Sequence, residues 1–267
     1  MARIISAAVL VPIAVLAVIF LPPLLYLIGI GLIGTACLYE YFRLVRAMGI
    51  NVRPLFGHLA FWVLLLALRQ GKLPAEALLA VIMIAAFLSA MWRFRQPVRE
   101  RAMALLAELL GVFYISLFLY PALPIRYDFG DRTGLQWTLI LLIVVWTGDS
   151  IALLMGKRFG RTPFAAVLSP KKTNEGAMAG LLAGIGVAAA VQHFFFPELP
   201  LRHVLIVAVL LGIFGQLGDL AESMLKRAAG IKDSSHLIPG HGGVLDRMDS
   251  LLFAFPVLYF YLLQVYS

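Results

Sequence analysis

Val204-Leu-Ile-Val-Ala-Val-Leu-Leu-Gly-Ile-Phe-Gly-Gln-Leu-Gly-Asp219-Leu-Ala-Glu222-Ser223-Met-Leu225 is an apolar run that ends on Lys226-Arg227. Its length matches the roughly 20 residues a helix needs to cross a bilayer. Two carboxylates lie within it, close to the basic end. Runs of this kind recur along the chain, and they decide its class. Of 267 residues, 62% are hydrophobic and 13% are charged. Mean hydropathy is +0.94. Soluble domains carry about 25% charged residues. The fold expected is all-α, a polytopic integral membrane protein, because a helix satisfies its own backbone in lipid.

Nine spans are predicted, near Ile4–Phe20, Leu24–Phe42, Leu55–Gln70, Ala77–Trp92, Ala102–Leu119, Trp137–Met155, Ala177–Phe196, Val204–Leu225 and Leu251–Val265. The distribution of basic residues tests that number, because Lys and Arg collect on the cytoplasmic side. Nine spans place 17 of the 22 Lys and Arg on one side and 5 on the other. Removing the short third span reduces the split to 9 against 13. The reading is therefore nine spans, with the N-terminus cytoplasmic and the large polar loops after the sixth and eighth spans also cytoplasmic. Met1-Ala-Arg3 leads directly into the first span and reads as no cleavable signal. The net charge of +8 reflects residues flanking spans and facing anionic lipid, so nucleic acid is not an expected partner. Cys37 is the single cysteine, which excludes an internal disulfide. No linker, repeat or low-complexity segment divides residues 1–267, so one membrane domain is expected. Residues 1–135 are mainly apolar scaffold, and 136–267 carry the polar motifs.

On a helix, Asp219, Glu222, Ser223, Lys226 and Arg227 fall at i, i+3, i+4, i+7 and i+8, along one face. Gly212, Gly215 and Gly218 precede them and permit close helix packing. An intramembrane carboxylate is a functional-site candidate by default; the alternative is a buried ion pair that holds the bundle together. Pro239-Gly-His241-Gly242-Gly243 suits a tight turn with exposed backbone donors. Asp246 and Asp249 can share a face where the ninth span begins. Asp219 and Asp246, from adjacent spans, can then meet across a hard cation such as Mg²⁺. His241 has no nearby Cys or second His, so zinc is not expected.

A third group of polar residues runs from Trp146-Thr-Gly-Asp149 through Gly156-Lys157-Arg158-Phe-Gly160-Arg161 to Ser169-Pro-Lys171-Lys172-Thr173-Asn174-Glu175-Gly176. Asp149 lies inside the sixth span and needs a partner or water. Lys157, Arg158 and Arg161 read as lipid-facing anchors. Lys171-Lys172-Thr173 precedes a helix start, a natural place for phosphate. Gly156-Lys157 lacks the spacing and the following Ser/Thr of a Walker A loop. For Glu40 and Glu108, pairing with Arg is as good a reading as catalysis.

The stretch from Ser223 to Asp249 closely resembles the signature of the phosphatidate cytidylyltransferases, or CDP-diacylglycerol synthases. Ser223, Lys226-Arg227, Lys232-Asp233, Pro239-Gly-His241-Gly242-Gly243, Asp246-Arg247 and Asp249 match it in order. Trp146–Gly160 and Ser169–Gly176 also resemble that family. Ser235 stands where Gly is usual, and Asn174 where a bulkier residue often follows Lys-Lys-Thr.

The resemblance implies transfer of CMP from CTP to phosphatidic acid, releasing pyrophosphate and leaving CDP-diacylglycerol. It further implies Mg²⁺, a monovalent cation such as K⁺ near it, a homodimer, and an inner-membrane enzyme whose site faces the cytoplasm. On this reading Asp219 and Asp246 bind Mg²⁺, and Asp249 is a nearby ligand or hydrogen-bond acceptor. Lys226, Arg227, Lys232 and Arg247 hold phosphates, and Ser223 hydrogen-bonds one. Lys171, Lys172 and Thr173 close the site, the His241-Gly242-Gly243 turn presents backbone donors, and Asp149 and Asp233 complete the substrate-binding set.

Two rivals are weighed against it. A cation-coupled transporter would use Asp149 and Asp219 as ion ligands, but such folds often show internal repeats. A CDP-alcohol phosphotransferase would need Gly where Leu220 follows Asp219, and a spacing of four where Asp246 and Asp249 are three apart.

Overall fold

Proline and glycine punctuate the helices. Pro22-Pro23 separates α1 (Ala2–Phe20) from α2 (Pro23–Ala47), and Pro54 opens α3 (Pro54–Gln70). Proline suits a first helical position because its missing N–H would be unpaired there anyway. Gly71 ends α3 in a left-handed conformation, φ 62°. Then come α4 (Ala75–Met91), α5 (Val98–Leu119), the short α6 (Ala122–Tyr127) and α7 (Asp131–Phe159). An antiparallel hairpin, β1 (Pro163–Ala165) with β2 (Ser169–Thr173), leads into α8 (Asn174–Phe195), α9 (Leu201–Ala228) and α10 (Leu245–Tyr266). The computed structural model describes residues 2–92, 96–235, 237 and 242–266, with side chains from residue 8 onward.

Among the described residues, 6 helices are long and apolar enough to cross a membrane: Pro23–Ala47, Val98–Tyr127, Asp131–Phe159, Asn174–Phe195, Leu201–Ala228 and Leu245–Tyr266. The chain is a helical membrane protein. The other three expected spans correspond to Ala8–Phe20, Pro54–Gln70 and Ala75–Met91, which are shorter. A helix of 17 residues rises about 25 Å, a little less than the roughly 30 Å hydrocarbon core. The hairpin is the departure from an all-α chain. Pro163 pairs with Thr173 and Ala165 with Ser169.

The main core lies between α2, α5, α7, α9 and α10, where Tyr41, Phe42, Leu119, Trp137 and Leu252 are fully enclosed. A second cluster packs α3 and α4 on α5 through Leu64, Ala86 and Val112. Val81, Ile84 and Leu88 of α4 point outward, as lipid-facing side chains do, since lipid is as apolar as the core.

The helices α7 and α8 lie backbone to backbone. A Cβ on Gly180 would stand 2.6 Å from the Gly148 carbonyl oxygen, so only glycine admits this approach. The C-terminal ends of α7 and α9 and the N-terminal ends of α8 and α10 collect at one end of the bundle. α10 also packs against α2, which brings Glu40 to the same end.

Candidate active site

The face of α9 predicted to carry the polar side chains turns inward. Glu222 is fully buried and Ser223 nearly so, while Asp219 is half-buried. Gly218, just before Asp219, sets the distance to α10. A Cβ there would lie 2.4 Å from the Asp249 carbonyl oxygen and 3.1 Å from the Phe253 Cβ. Its absence lets α10 close on α9 and places Asp249 beside Asp219 and Glu222. Carboxylate oxygens of these three residues lie within 4.8 Å of one another.

Around this triangle stand the cations. Lys172, at the end of β2, places Nζ 2.5 Å from Asp219 Oδ2. Lys226, one helical turn beyond Glu222, contacts Glu222 Oε2 and lies 2.7 Å from Asp246 Oδ1. Asp246 is held on its other oxygen: Oδ2 accepts from the Ser234 amide at 3.0 Å and the Gly243 amide at 2.7 Å, and faces the Ser234 hydroxyl at 2.8 Å. Asp149 of α7 faces Asp219, Lys172 and Arg247 and lies beside the Ser250 hydroxyl. The Ser250 amide donates to Asp249 Oδ1 at 2.7 Å.

Asp149, Asp219, Glu222, Asp246 and Asp249 thus share one region with two lysines, Lys172 and Lys226. Such a surplus of carboxylates, partly shielded from water, is stable only with a bound cation or with protons on some of them. Glu222 Oε1 is a buried oxygen with no hydrogen-bond donor beside it among the described residues. Oxygens on opposite sides of an ion stand about 4.2 Å apart for Mg²⁺ and about 4.8 Å for Ca²⁺. The triangle fits a hard divalent cation with little rearrangement.

The hairpin is tied to this end of the bundle. Thr173 caps α8, its Oγ1 accepting from the Gly176 amide at 3.2 Å. Glu175 accepts from the Arg161 and Thr162 amides at 3.0 and 3.2 Å. Arg227 donates through Nε to the Leu168 carbonyl at 3.2 Å, so it braces the hairpin turn.

The structure brings Asp149, Lys172, Asp219, Ser223, Lys226, Asp246 and Asp249 into one neighbourhood. Lys171, Arg227, Lys232, Asp233 and Arg247 are exposed at its rim. Gly242 adopts φ 80°, a conformation suited to glycine. His241 lies outside the described residues. Asp246, expected beside Asp219, lies against Glu222 and Lys226. Asp249, expected as a nearby ligand, joins Asp219 and Glu222 in the triangle, while Asp246 Oδ1 pairs with Lys226.

Two residues have a larger part in the site than their sequence context predicts. Glu222 was placed on the active face but not among the ion ligands, although it lies three residues after Asp219. Glu40, weighed as an arginine partner, instead faces hydroxyls and amides of the α9–α10 loop. Its signal was a lone carboxylate in an apolar span. Glu108 Oε1 accepts from the Arg53 backbone amide at 2.5 Å.

Comparison with known proteins supplies the family. The chain is 32% identical over 270 residues to the phosphatidate cytidylyltransferase of Bacillus subtilis (strain 168), covering 98% of this chain and 97% of the relative. It is 31% identical over 259 residues to the Staphylococcus haemolyticus (strain JCSC1435) protein of the same name, covering 94% and 97%. To that of Staphylococcus aureus (strain COL) it is 38% identical over 155 residues, covering 58% and 60%. The model of the cytidylyltransferase family matches residues 1–265. This chain belongs to the cytidylyltransferase family and is a CTP-using nucleotidyltransferase.

Proposed function

We propose that the protein transfers CMP from CTP to phosphatidic acid, forming CDP-diacylglycerol and pyrophosphate for phospholipid synthesis. A phosphate oxygen of the lipid attacks the α-phosphorus of CTP. The bond from that phosphorus to the bridging oxygen breaks, and pyrophosphate leaves with the electron pair. Phosphate is already largely ionised near neutral pH, so no strong general base is needed. Catalysis then consists of positioning and charge neutralisation.

The observation that carries this reading is the Asp219–Glu222–Asp249 triangle between Lys172 and Lys226. These three carboxylates would hold Mg²⁺. The ion, when bound, offsets negative charge on the nucleotide phosphates. Lys226 and Lys172 are the phosphate clamps, Lys226 held by Glu222 and Asp246 and Lys172 by Asp219. When a phosphate oxygen takes the Lys226 ammonium, Asp246 Oδ1 is released toward the same cluster, which gives Asp246 its part in the ion site. Ser223 offers a hydroxyl on the same face. Lys171, Arg227, Lys232, Asp233 and Arg247 form the surrounding rim, Thr173, His241, Gly242 and Gly243 are read as further substrate-binding residues, and Asp149 closes the α7 side.

The shorter helices α1, α3 and α4 are read as additional spans, for nine in all. The split of 17 basic residues against 5 supports a cytoplasmic N-terminus and a cytoplasmic site. An inner-membrane location follows, with the lipid headgroup arriving sideways and CTP from the aqueous side.

The test uses purified protein, radiolabelled CTP and phosphatidic acid in mixed micelles, with Mg²⁺ or with EDTA. Label should enter the lipid phase only with Mg²⁺ and phosphatidic acid together. No label in lipid under any condition rejects the reaction.

A further inference from the structure

Glu40 is a carboxylate on α2 that lies 194 residues before Ser234 in the chain, and its side chain is fully buried. Among the described residues its four hydrogen-bond partners are Ser234, Ser235 and Val244 of the α9–α10 loop and Leu245 at the start of α10. Oε1 accepts from the Ser235 hydroxyl at 2.5 Å and the Val244 amide at 2.9 Å. Oε2 accepts from the Leu245 amide at 2.7 Å and faces the Ser234 hydroxyl at 2.8 Å. Leu245 is the first residue of α10. The first amides of a helix have no partner within it, and a negative charge there is favoured by the helix dipole. Glu40 supplies that charge from a different helix. Gly243 is small because Glu40 is close: a Cβ on it would stand 2.2 Å from Glu40 Oε2 and 2.0 Å from the Ser234 hydroxyl.

The contacts continue into the site. The Ser234 hydroxyl lies 2.8 Å from both Glu40 Oε2 and Asp246 Oδ2, and its single proton can serve either of them. Asp246 holds Lys226, and Lys226 holds Glu222. An unbroken polar chain therefore runs from α2 to the acidic triangle.

We infer that Glu40 is a positioning residue for nucleotidyl transfer, which ties Ser234 and Ser235 to the start of α10, and so fixes Asp246 and Asp249. The inference rests on the reaction proposed above. Glu40 touches neither the lysines nor the acidic triangle directly, so its effect passes through Ser234, Asp246 and the first turn of α10.

The experiment compares wild type with Glu40→Gln, Glu40→Asp and Ser235→Ala. It measures steady-state transfer from CTP together with amide hydrogen exchange over residues 242–250 and 204–218. Glu40→Gln keeps the size, loses the charge and turns an N–H toward donors. It should lower kcat by about 10- to 100-fold, the range for groups that orient catalytic ligands, with KM for CTP changed far less. Exchange at 244 and 245 should rise while 204–218 stays protected. Glu40→Asp should recover part of kcat, because the charge returns one methylene short. Ser235→Ala removes one donor of the four and should cost about 3- to 10-fold, which preserves the test if Glu40→Gln fails to fold. The inference is overturned if kcat in the folded variants stays within about twofold of wild type. It is also overturned if exchange rises equally throughout 204–218, the mark of a general loss of stability. A wild type that does not make CDP-diacylglycerol defeats the proposed reaction instead; unchanged exchange at 244 and 245 in Glu40→Gln defeats the loop assignment alone.

Discussion

Lys226 and Asp246 form an ion pair of 2.7 Å between α9 and α10, and the same ammonium also engages Glu222. One cation thus serves two carboxylates of the site. The pair is mostly shielded from water, with the Lys226 side chain 13% exposed and that of Asp246 6%. Its strength comes from low local dielectric, and its vulnerability comes from the same source. Remove the ammonium, and Glu222 and Asp246 lose their shared cation, Asp246 keeping the Ser234 and Gly243 amides.

Lys226→Met should therefore destabilise the ligand-free protein by about 3–5 kcal/mol, the usual cost of breaking a buried pair from one side. Thermal unfolding in detergent with EDTA should show a midpoint lowered by roughly 10 °C. Transfer from CTP should fall at least about 100-fold, since a phosphate-binding charge is lost as well. An unchanged midpoint would mean that the ion pair contributes nothing to the fold.

Gly218→Ala should push α10 away from α9. Its new methyl would meet the Asp249 carbonyl at 2.4 Å and the Phe253 side chain at 3.1 Å. Backbone cannot yield as a flexible side chain does, so a destabilisation of about 1–3 kcal/mol is expected. Activity should fall further than stability alone dictates, because Asp249 moves with its helix. Gly186→Ala is the control, since a Cβ at Gly186 meets nothing within 4 Å; its unfolding midpoint and turnover should match wild type.

Glu198 lies in the loop before α9, at the opposite end of the bundle from the site. A hydrogen bond from its own backbone amide, then Gln136 and Arg132, hold its carboxyl below the ordinary glutamate range. Arg132 approaches it at 2.7 Å. A depressed folded pKa stabilises above the unfolded value near 4.3, and that contribution disappears as pH falls through the folded value. Glu198→Gln should slightly flatten the loss of stability below about pH 4. The effect is small because the pair is exposed and screened. Unfolding midpoints between pH 3 and 7 check it, and turnover should not change.

Much of this site follows from helical spacing. Asp219, Glu222 and Lys226 share a face by their separations of three and four, and α9 carries them inward together. That Glu222 joins Asp219 and Asp249 in the triangle was not legible. It depends on how α10 is rotated about its axis, which Gly218 and the loop contacts determine. Glu40 was beyond reach for a different reason: its partners are about two hundred residues away, and nothing local marks the pairing. The β1–β2 hairpin escaped notice because its strands are short, polar and interrupted by proline, so no alternation announces them. Hydropathy located the helices well. It could not say whether α1, α3 and α4, at the lower limit of spanning length, cross the bilayer, because composition there reads the same either way.

The central claim is that Asp219, Glu222 and Asp249 together seat a divalent cation. Binding of Mn²⁺ to the purified protein, followed by electron paramagnetic resonance and competed with Mg²⁺, tests it without any turnover. Wild type should show a saturable site that Mg²⁺ displaces, and Asp249→Asn should weaken it by about 10- to 100-fold. Equal Mn²⁺ affinity in wild type and Asp249→Asn would contradict the assignment.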